Sequence, residues 1–496
     1  MLMLIERPSA IILNHYKKDS AYTLQKMLGV WDNACHRYTQ YLYEFDPEEE
    51  GGKEGVLRVP RGMGIERVKQ VLNELGLPYN YQNQTESFKR FRDISGRIDI
   101  KFPPKDEIQE DSIKFLKDQG HYKHQAFLAL NVGRGKTYTT TVHIAQSKKP
   151  AMVISYNLAY QWQDKISQYT NLDNGEDGGI VNIVGTQYFE DIMSGKIKPN
   201  AVIYITTIGT LHSYQKKFGL NSLQDLADKL GIGIKVFDEA HTRYVLFNSI
   251  DMNMQVDETI YLSATPGRSS KNEDRMFSKI YNLVPSFGSF TAKLDDYYII
   301  RYITYDSFSK AEDRIIMKTP RGLSSLKYTR YLFDKYGENI LRLMMEYVTP
   351  ILNENPNGKL LVVTDWIKDI KFIKEWLTKN HPEYSVGTYC QLVTKKTERE
   401  KELDKRIIVG TIGSMQNGKD IPNLQIIFPI SCFGSSIVTR QLMGRLRPLK
   451  DKDVYYFDLA DISVPAIMHQ RKERNAVLRE RSKMTIEEDR VDLDRI

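Results

Sequence analysis

The chain is poor in cysteine and lacks any long apolar run. Its 496 residues include three cysteines, Cys35, Cys390 and Cys432. Their wide separation excludes a disulfide framework and a CxxC zinc pair, and points to a reducing compartment. The nine histidines show no metal-ligand spacing. No stretch approaches the roughly 18 consecutive apolar residues of a membrane span. The opening MLMLIERPSA turns charged at Glu6, so the apolar core of a secretory leader is not expected. Internal repeats and low-complexity segments are lacking too. Neither charge sign dominates: 70 basic residues face 63 acidic ones, a net +7 that favours polyanionic partners only weakly.

What is present is an ordinary globular composition, 41% hydrophobic and 27% charged, in a chain long enough for two or three domains. Short β-branched runs alternate with amphipathic stretches, at AMVIS (151–155), VNIV (181–184), AVIYIT (201–206), IKVFD (234–238) and TIYLS (259–263). The pattern resumes at KLLVVT (359–364), RIIVG (406–410), LQIIFPI (424–430) and VYYFD (454–458). Near-continuous apolar strands separated by helices predict parallel sheets covered on both faces. The expected architecture is α/β, with two parallel-sheet domains in tandem behind a small α+β accessory domain. The expected boundaries are 1–95 for the accessory domain, 96–270 for the first α/β domain and 271–345 for a connecting region. Residues 346–470 form the second α/β domain and 471–496 a charged tail, read as a solvated helix or frayed end. In 1–95, AIILNH, CHRYTQYLYEF and GVLRVPRG read as strands, and SAYTLQKML and IERVKQVLNELG as helices.

Two motifs carry chemistry. NVGRGKT (131–137) lies between the apolar run FLAL and a helical stretch. Gly133 and Gly135 let backbone N–H groups close on phosphate oxygens, and the following helix aims its N-terminus at the same anion. Lys136 would reach the β- and γ-phosphates of ATP, and the Thr137 hydroxyl would ligate Mg²⁺. Leu130 stands where the full pattern GxxxxGK[ST] has its first glycine, so an ordinary Gly-rich turn is the plainer alternative. VFDEAH (236–241) then ends a strand with two adjacent acids. Asp238 suits Mg²⁺ and Glu239 suits polarisation of the attacking water, at the sheet edge where parallel sheets place ligands. A solvated Asp-Glu turn is the alternative there.

With these residues the sequence resembles the superfamily 2 helicases. NVGRGKT resembles motif I, DEAH (238–241) motif II and SATP (263–266) motif III. ISYNLAYQW (154–162) resembles motif Ia and YITTIGTLHS (204–213) motif Ib. VVTDW (362–366), VGTIGSMQNGKDIPN (409–423) and RQLMGRLRP (440–448) resemble motifs IV, V and VI. The resemblance implies RecA-like domains and a nucleic-acid-stimulated ATPase, with ATP and Mg²⁺ as cofactors. It implies nucleotide contacts from Gly418, Asp420, Gln441 and Arg445, coupling through Ser263 and Thr265, and backbone contacts from Ser155, Tyr156, Asn157, Thr207, Thr364 and Thr411. Gln109 falls where the family often keeps an adenine-reading glutamine; a surface helical glutamine is the alternative. In motif VI, Pro448 occupies the place of the family's second arginine and Arg447 comes one residue early, so the arginine finger is Arg445 or Arg447.

DEAH, SATPGR ending at Arg268, and a small N-terminal domain resemble the branch-migration and repair helicases of the UvsW and XPB types. The implied partner is DNA, single-stranded or branched, with RNA still open, bound by a monomeric motor in the cytoplasm of a bacterium or phage-infected host. Trp162 and the tyrosines are available for base stacking. The alternatives are the motor of a restriction or defence complex, and a non-catalytic nucleotide-dependent clamp.

Overall fold

The computed structural model describes residues 2–17, 29, 31–32, 37–38, 44–47, 54–130, 133–156, 159–241, 244–263, 271–288, 296–319, 322–390, 396–416, 421–430 and 433–496. The chain forms two compact units, Met1–Thr291 and Ala292–Ile496.

Among the described residues the first unit holds two large sheets and the antiparallel pair Trp31–Asp32 and Arg37–Tyr38. Its N-terminal sheet is mixed, in the order Glu44–Pro47, Glu54–Pro60, Ala10–Lys17, Leu2–Glu6, Tyr79–Asn83. Only the last pair is parallel. Helix Ile65–Glu74 buries Val68, Val71 and Leu72 in a small core with Leu4, Ile11, Leu13, Leu57 and Val59. The larger sheet is wholly parallel. Its order is Asp173–Asn174, Gly179–Asn182, Ile203–Thr207, Ala151–Ser155, Ile234–Phe237, Glu258–Ser263, Gln125–Ala129, Ser286–Gly288. Its central strands are buried along their length, the price of two helical layers being continuous apolar sequence.

The small sheet is fastened to the large one by polar groups as well as by packing. The Ser9 amide donates to Gln255 Oε1 at 3.0 Å, and its hydroxyl donates to the Asp251 carbonyl at 2.8 Å. Lys235, fully buried, donates to Ser9 Oγ at 3.0 Å and pairs with Asp251 Oδ1 at 2.6 Å. Ile5, Ala10 and Ile12 pack on Met252. Gly62 passes so close that an added Cβ would lie 2.1 Å from the Ile280 carbonyl oxygen.

The main sheet of the second unit is parallel, in the order Val386–Tyr389, Ile407–Thr411, Lys359–Thr364, Leu424–Pro429, Val454–Asp461, Tyr298–Asp306, Ser482–Glu487. Two sequence expectations give way here. Residues 271–345 are not simply a connection. Tyr298–Asp306 lies between two other strands, and Ser325–Glu354 is a 30-residue helix on the core. Two of its tyrosines are buried with their hydroxyls partnered: Tyr298 on the Leu478 carbonyl, and Tyr305 on Tyr328 at 2.8 Å. Residues 471–496 are not a solvated tail. They finish helix Pro465–Leu478 and supply the strand Ser482–Glu487. Arg471 and Arg474 turn inward onto Asp458, Arg474 at 2.7 Å. Among the described residues no helix is long and apolar enough to cross a membrane.

Candidate nucleotide site and nucleic-acid edge

The phosphate loop sits between the strand Gln125–Ala129 and helix Lys136–Ser147. Gly133 and Gly135 have φ of 82° and 85°, left-handed values that side chains resist. Gly135 is also where Gln109 arrives. A Cβ there would lie 2.3 Å from Gln109 Nε2. Asp106 caps the helix that carries Gln109, accepting from the Gln109 amide at 3.0 Å. Gln109 Oε1 accepts from the Lys105 amide at 2.9 Å, and the residue is 7% exposed. It is therefore not a solvated surface glutamine.

Lys136 opens the loop's helix, donating to the Leu130 carbonyl at 3.1 Å, with its ammonium 3.9 Å from Glu239 Oε1. Asp238 follows the strand Ile234–Phe237, its amide bonded to the Ile154 carbonyl at 2.9 Å. The Trp162 indole N–H donates to Asp238 Oδ2 at 2.8 Å. Burial and the neighbouring Glu239 charge push the Asp238 carboxyl up to about 6, while Trp162 and Lys136 pull it down. Glu239 has φ of 52°, a strained value for a residue with a Cβ, of order 1–3 kcal/mol, and such strain concentrates at functional sites. His241 extends the site: its Nδ1 is 3.2 Å from Glu239 Oε2 and 2.8 Å from Ser263 Oγ. The Ala240 amide bonds to the Leu262 carbonyl at 2.8 Å, so the acidic loop is tied to the end of the next strand.

Thr137 and Asp238 offer hard oxygen donors beside a phosphate-binding loop. That suits Mg²⁺, which takes one or two protein oxygens and completes its shell with phosphate and water. Among the described residues no cluster of three His, Cys, Asp or Glu could hold a metal alone.

In the second unit, helix Ser436–Met443 carries Gln441 and is capped by Ser435. Arg445 lies in the turn after it, 6% exposed, with its amide on the Leu442 carbonyl at 3.0 Å. Arg447 folds back to donate to the Gly444 carbonyl and, at 3.2 Å, to that of Leu446.

Residues 82–268 match the family model described as "Type III restriction enzyme, res subunit". The chain is 21% identical over 384 residues to "Transcript termination protein A18" of Yaba-like disease virus, covering 74% of each chain. It is 22% identical over 386 residues to a Haloarcula marismortui protein named Rad25, covering 74% of this chain and 53% of that one. Among solved structures, S. cerevisiae Dbp5 bound to RNA and ADP BeF3 superposes with a TM-score of 0.50 at 14% identity, covering 78% of this chain and 90% of that one.

The chain resembles the superfamily 2 helicases in sequence and in fold.

The fold narrows the expected nucleic-acid contacts. Ser155 and Thr207 are register partners at the ends of adjacent strands, as are Thr364 and Thr411 in the second unit. In each pair one residue is buried. Ser155 is enclosed, and Thr364 donates to Asp369 Oδ2 at 3.1 Å. Both hydroxyls are buried at this edge. Thr207 and Thr411 are half-buried, and each Oγ1 accepts from an amide three residues on, at 3.2 and 3.3 Å. Tyr156 is half-buried against the first unit's core. Asn157, Thr265, Gly418 and Asp420 lie outside the described residues.

Trp162 is 3% exposed and positions Asp238. Its place beside Ile166 in the apolar core is the signal that could have shown it facing inward. Sequence reasoning also missed His241 as a bridge, since its partner Ser263 is adjacent only through strand pairing.

Proposed function

We propose that the chain is an ATP-dependent DNA helicase or translocase that remodels branched DNA in replication, recombination or repair. The observation that carries the reading is the convergence at Glu239: strained, beside Lys136, and linked through His241 to Ser263. A carboxylate so held can take a proton from an attacking water. Its bridge to motif III gives a route by which the nucleotide state reaches the nucleic-acid side.

Lys136 would pair with the β- and γ-phosphates, Gly133 and Gly135 would admit them to backbone amides, and Gln109 would read the base. Thr137 and Asp238 would hold Mg²⁺, which when bound neutralises phosphate charge. By the motif resemblance Gln441, Gly418 and Asp420 would contact nucleotide, and Arg445 or Arg447 would act on the γ-phosphate. Thr207 and Thr411, with Tyr156 and Asn157, would hold phosphates, which carry no sequence information. Residues 1–95 would recognise the branch. A branch point suits a modest motor, because pairs broken ahead are matched by pairs formed behind. Simple separation loses about 1.4 kcal/mol per step.

The similarity to a protein named for transcript termination favours a second reading, in which the displaced strand is RNA. The family match keeps a restriction-complex motor in view. ATP hydrolysis measured with single-stranded, duplex, forked and four-way DNA, RNA and an RNA–DNA hybrid tests all three. Greatest stimulation by forked or four-way DNA is expected. Stimulation confined to RNA or the hybrid transfers the case to transcript release, and DNA cleavage or an obligatory partner transfers it to restriction.

A further inference from the structure

The short helix Ala311–Ile316 buries none of its residues. Ile315 and Ile316 at its end are 68% and 71% exposed. The segment is nevertheless held firmly. Met317 is fully buried in the second unit's core. The two-stranded turn Lys318–Thr319 and Gly322–Leu323 follows, closed by the Ser324 amide on the Met317 carbonyl at 2.9 Å. Lys327 donates to the Lys318 carbonyl at 3.1 Å. Next to it, Leu326 is exposed and its carbonyl accepts from the Trp366 indole at 3.1 Å. Trp366 itself is 42% exposed, beside exposed Ile367. The loop that carries Trp366 is pinned by Ser325 and Thr329, which donate to Asp365 Oδ2 at 2.9 and 2.8 Å.

This apolar ridge has a defined place. Trp366 stands two residues beyond Thr364, whose register partner is Thr411, so it lies at the C-terminal edge of the parallel sheet where Thr411 is half-exposed. Its surroundings carry a basic excess. Lys310, Lys318 and Lys327 are exposed and Arg314 half-exposed, against exposed Glu312, while Asp313 caps the Lys310 amide at 2.8 Å. Apolar and aromatic side chains interleaved with cations match a single strand of nucleic acid, whose bases offer π-faces and whose backbone offers charge.

We propose that the ridge formed by Ile315, Ile316, Leu326 and Trp366 contacts the unstacked bases of a single nucleic-acid strand, with Trp366 as the stacking platform. The proposal rests on the nucleic-acid reading above and adds a base-dependent component to a motor otherwise gripping phosphates.

The test is the affinity of the full chain for a natural oligonucleotide and for one of equal length with several abasic positions, in deoxy and ribo forms. The two differ in bases but not in phosphate charge. The wild type is expected to prefer the natural strand roughly tenfold, within the range of base stacking on aromatic side chains. Trp366→Ala should lose that preference and Trp366→Phe should keep most of it, with unfolding midpoints checking the fold of each variant. Ile315→Ser with Ile316→Ser should reduce the preference in the same direction. Equal wild-type affinity for both strands, or a preference that survives Trp366→Ala, overturns the proposal. A change in sedimentation of the nucleic-acid-free variants also overturns it, by marking the ridge as a protein interface. No binding of either strand by the wild type refutes the nucleic-acid reading itself.

Discussion

The indole N–H of Trp162 donates to the Asp238 carboxylate at 2.8 Å, fixing the acid that follows the strand Ile234–Phe237. Asp238 is ionised less readily than an ordinary aspartate, with its carboxyl raised to about 6 by burial first and by Glu239 second. Only the ionised form can hold a cation. Nucleotide–Mg²⁺ affinity should therefore fall as pH drops through about 6. Trp162→Phe removes a bond that favours the anion. Hydrogen bonds to charged groups are worth about 1.5–3 kcal/mol, and one pKa unit is about 1.4 kcal/mol. The acid limb should move up by about one pH unit. Titration of affinity against pH in both proteins checks it, and an unmoved limb removes Trp162 from the site.

The two motif VI arginines should separate cleanly. Arg445→Ala is expected to spare ATP binding and lower turnover by about three decades or more, the scale of finger arginines in phosphoryl transfer. Arg447 is satisfied by its own turn, so Arg447→Ala should cost less than tenfold. Because Arg445 is buried, an unfolding curve must accompany the assay. A dead Arg447→Ala beside an active Arg445→Ala reverses the roles.

The junction of the two sheets in the first unit should dominate its stability. Burial lowers the Lys235 ammonium pKa and raises the Asp251 carboxyl, each opposed by the other's charge. Removing one partner strands the other, a loss of about 3–5 kcal/mol for a buried pair. Asp251→Ala should show that loss in denaturant unfolding, and Ser9→Ala a smaller one of about 1 kcal/mol. Deletion of residues 1–95 should destabilise the motor rather than yield a freestanding one, since it uncovers Lys235, Asp251 and Met252. Branch recognition is therefore better tested by reversing an exposed charge, as in Arg67→Glu. That change should lower the preference for forked over single-stranded DNA without moving the unfolding midpoint.

What the sequence made legible was local. AMVIS and KLLVVT coincide with the strands Ala151–Ser155 and Lys359–Thr364, and the helix after the phosphate loop begins at Lys136. These follow from β-branched runs and glycine placement within a few residues. What stayed hidden depends on distant partners. Ser9 meets Asp251 across 242 residues. Tyr298 and Tyr305 read as polar text in a connection, although their hydroxyls are partnered inside the fold, and Arg471 and Arg474 read as solvent-facing although both turn onto Asp458. Ser155 and Thr364 carried the right residue type at the right edge, but strand register left only Thr207 and Thr411 partly open.

Binding to single strands should weaken steeply with salt, with a log–log slope near −0.7 for each phosphate contact. Affinity measured from low to moderate salt checks it. A flat dependence would point away from the backbone grip assigned to Thr207 and Thr411.

The central claim is that ATP turnover is performed at Lys136 and Glu239 and driven by nucleic acid. Steady-state ATP hydrolysis, with and without forked DNA, tests it in the wild type, Lys136→Ala and Glu239→Gln side by side. The account predicts strong stimulation of the wild type and loss of both nucleotide affinity and turnover in Lys136→Ala. In Glu239→Gln it predicts retained ATP binding with hydrolysis down by about two decades or more. Near-wild-type turnover in Glu239→Gln, or a wild-type rate indifferent to nucleic acid, would contradict it.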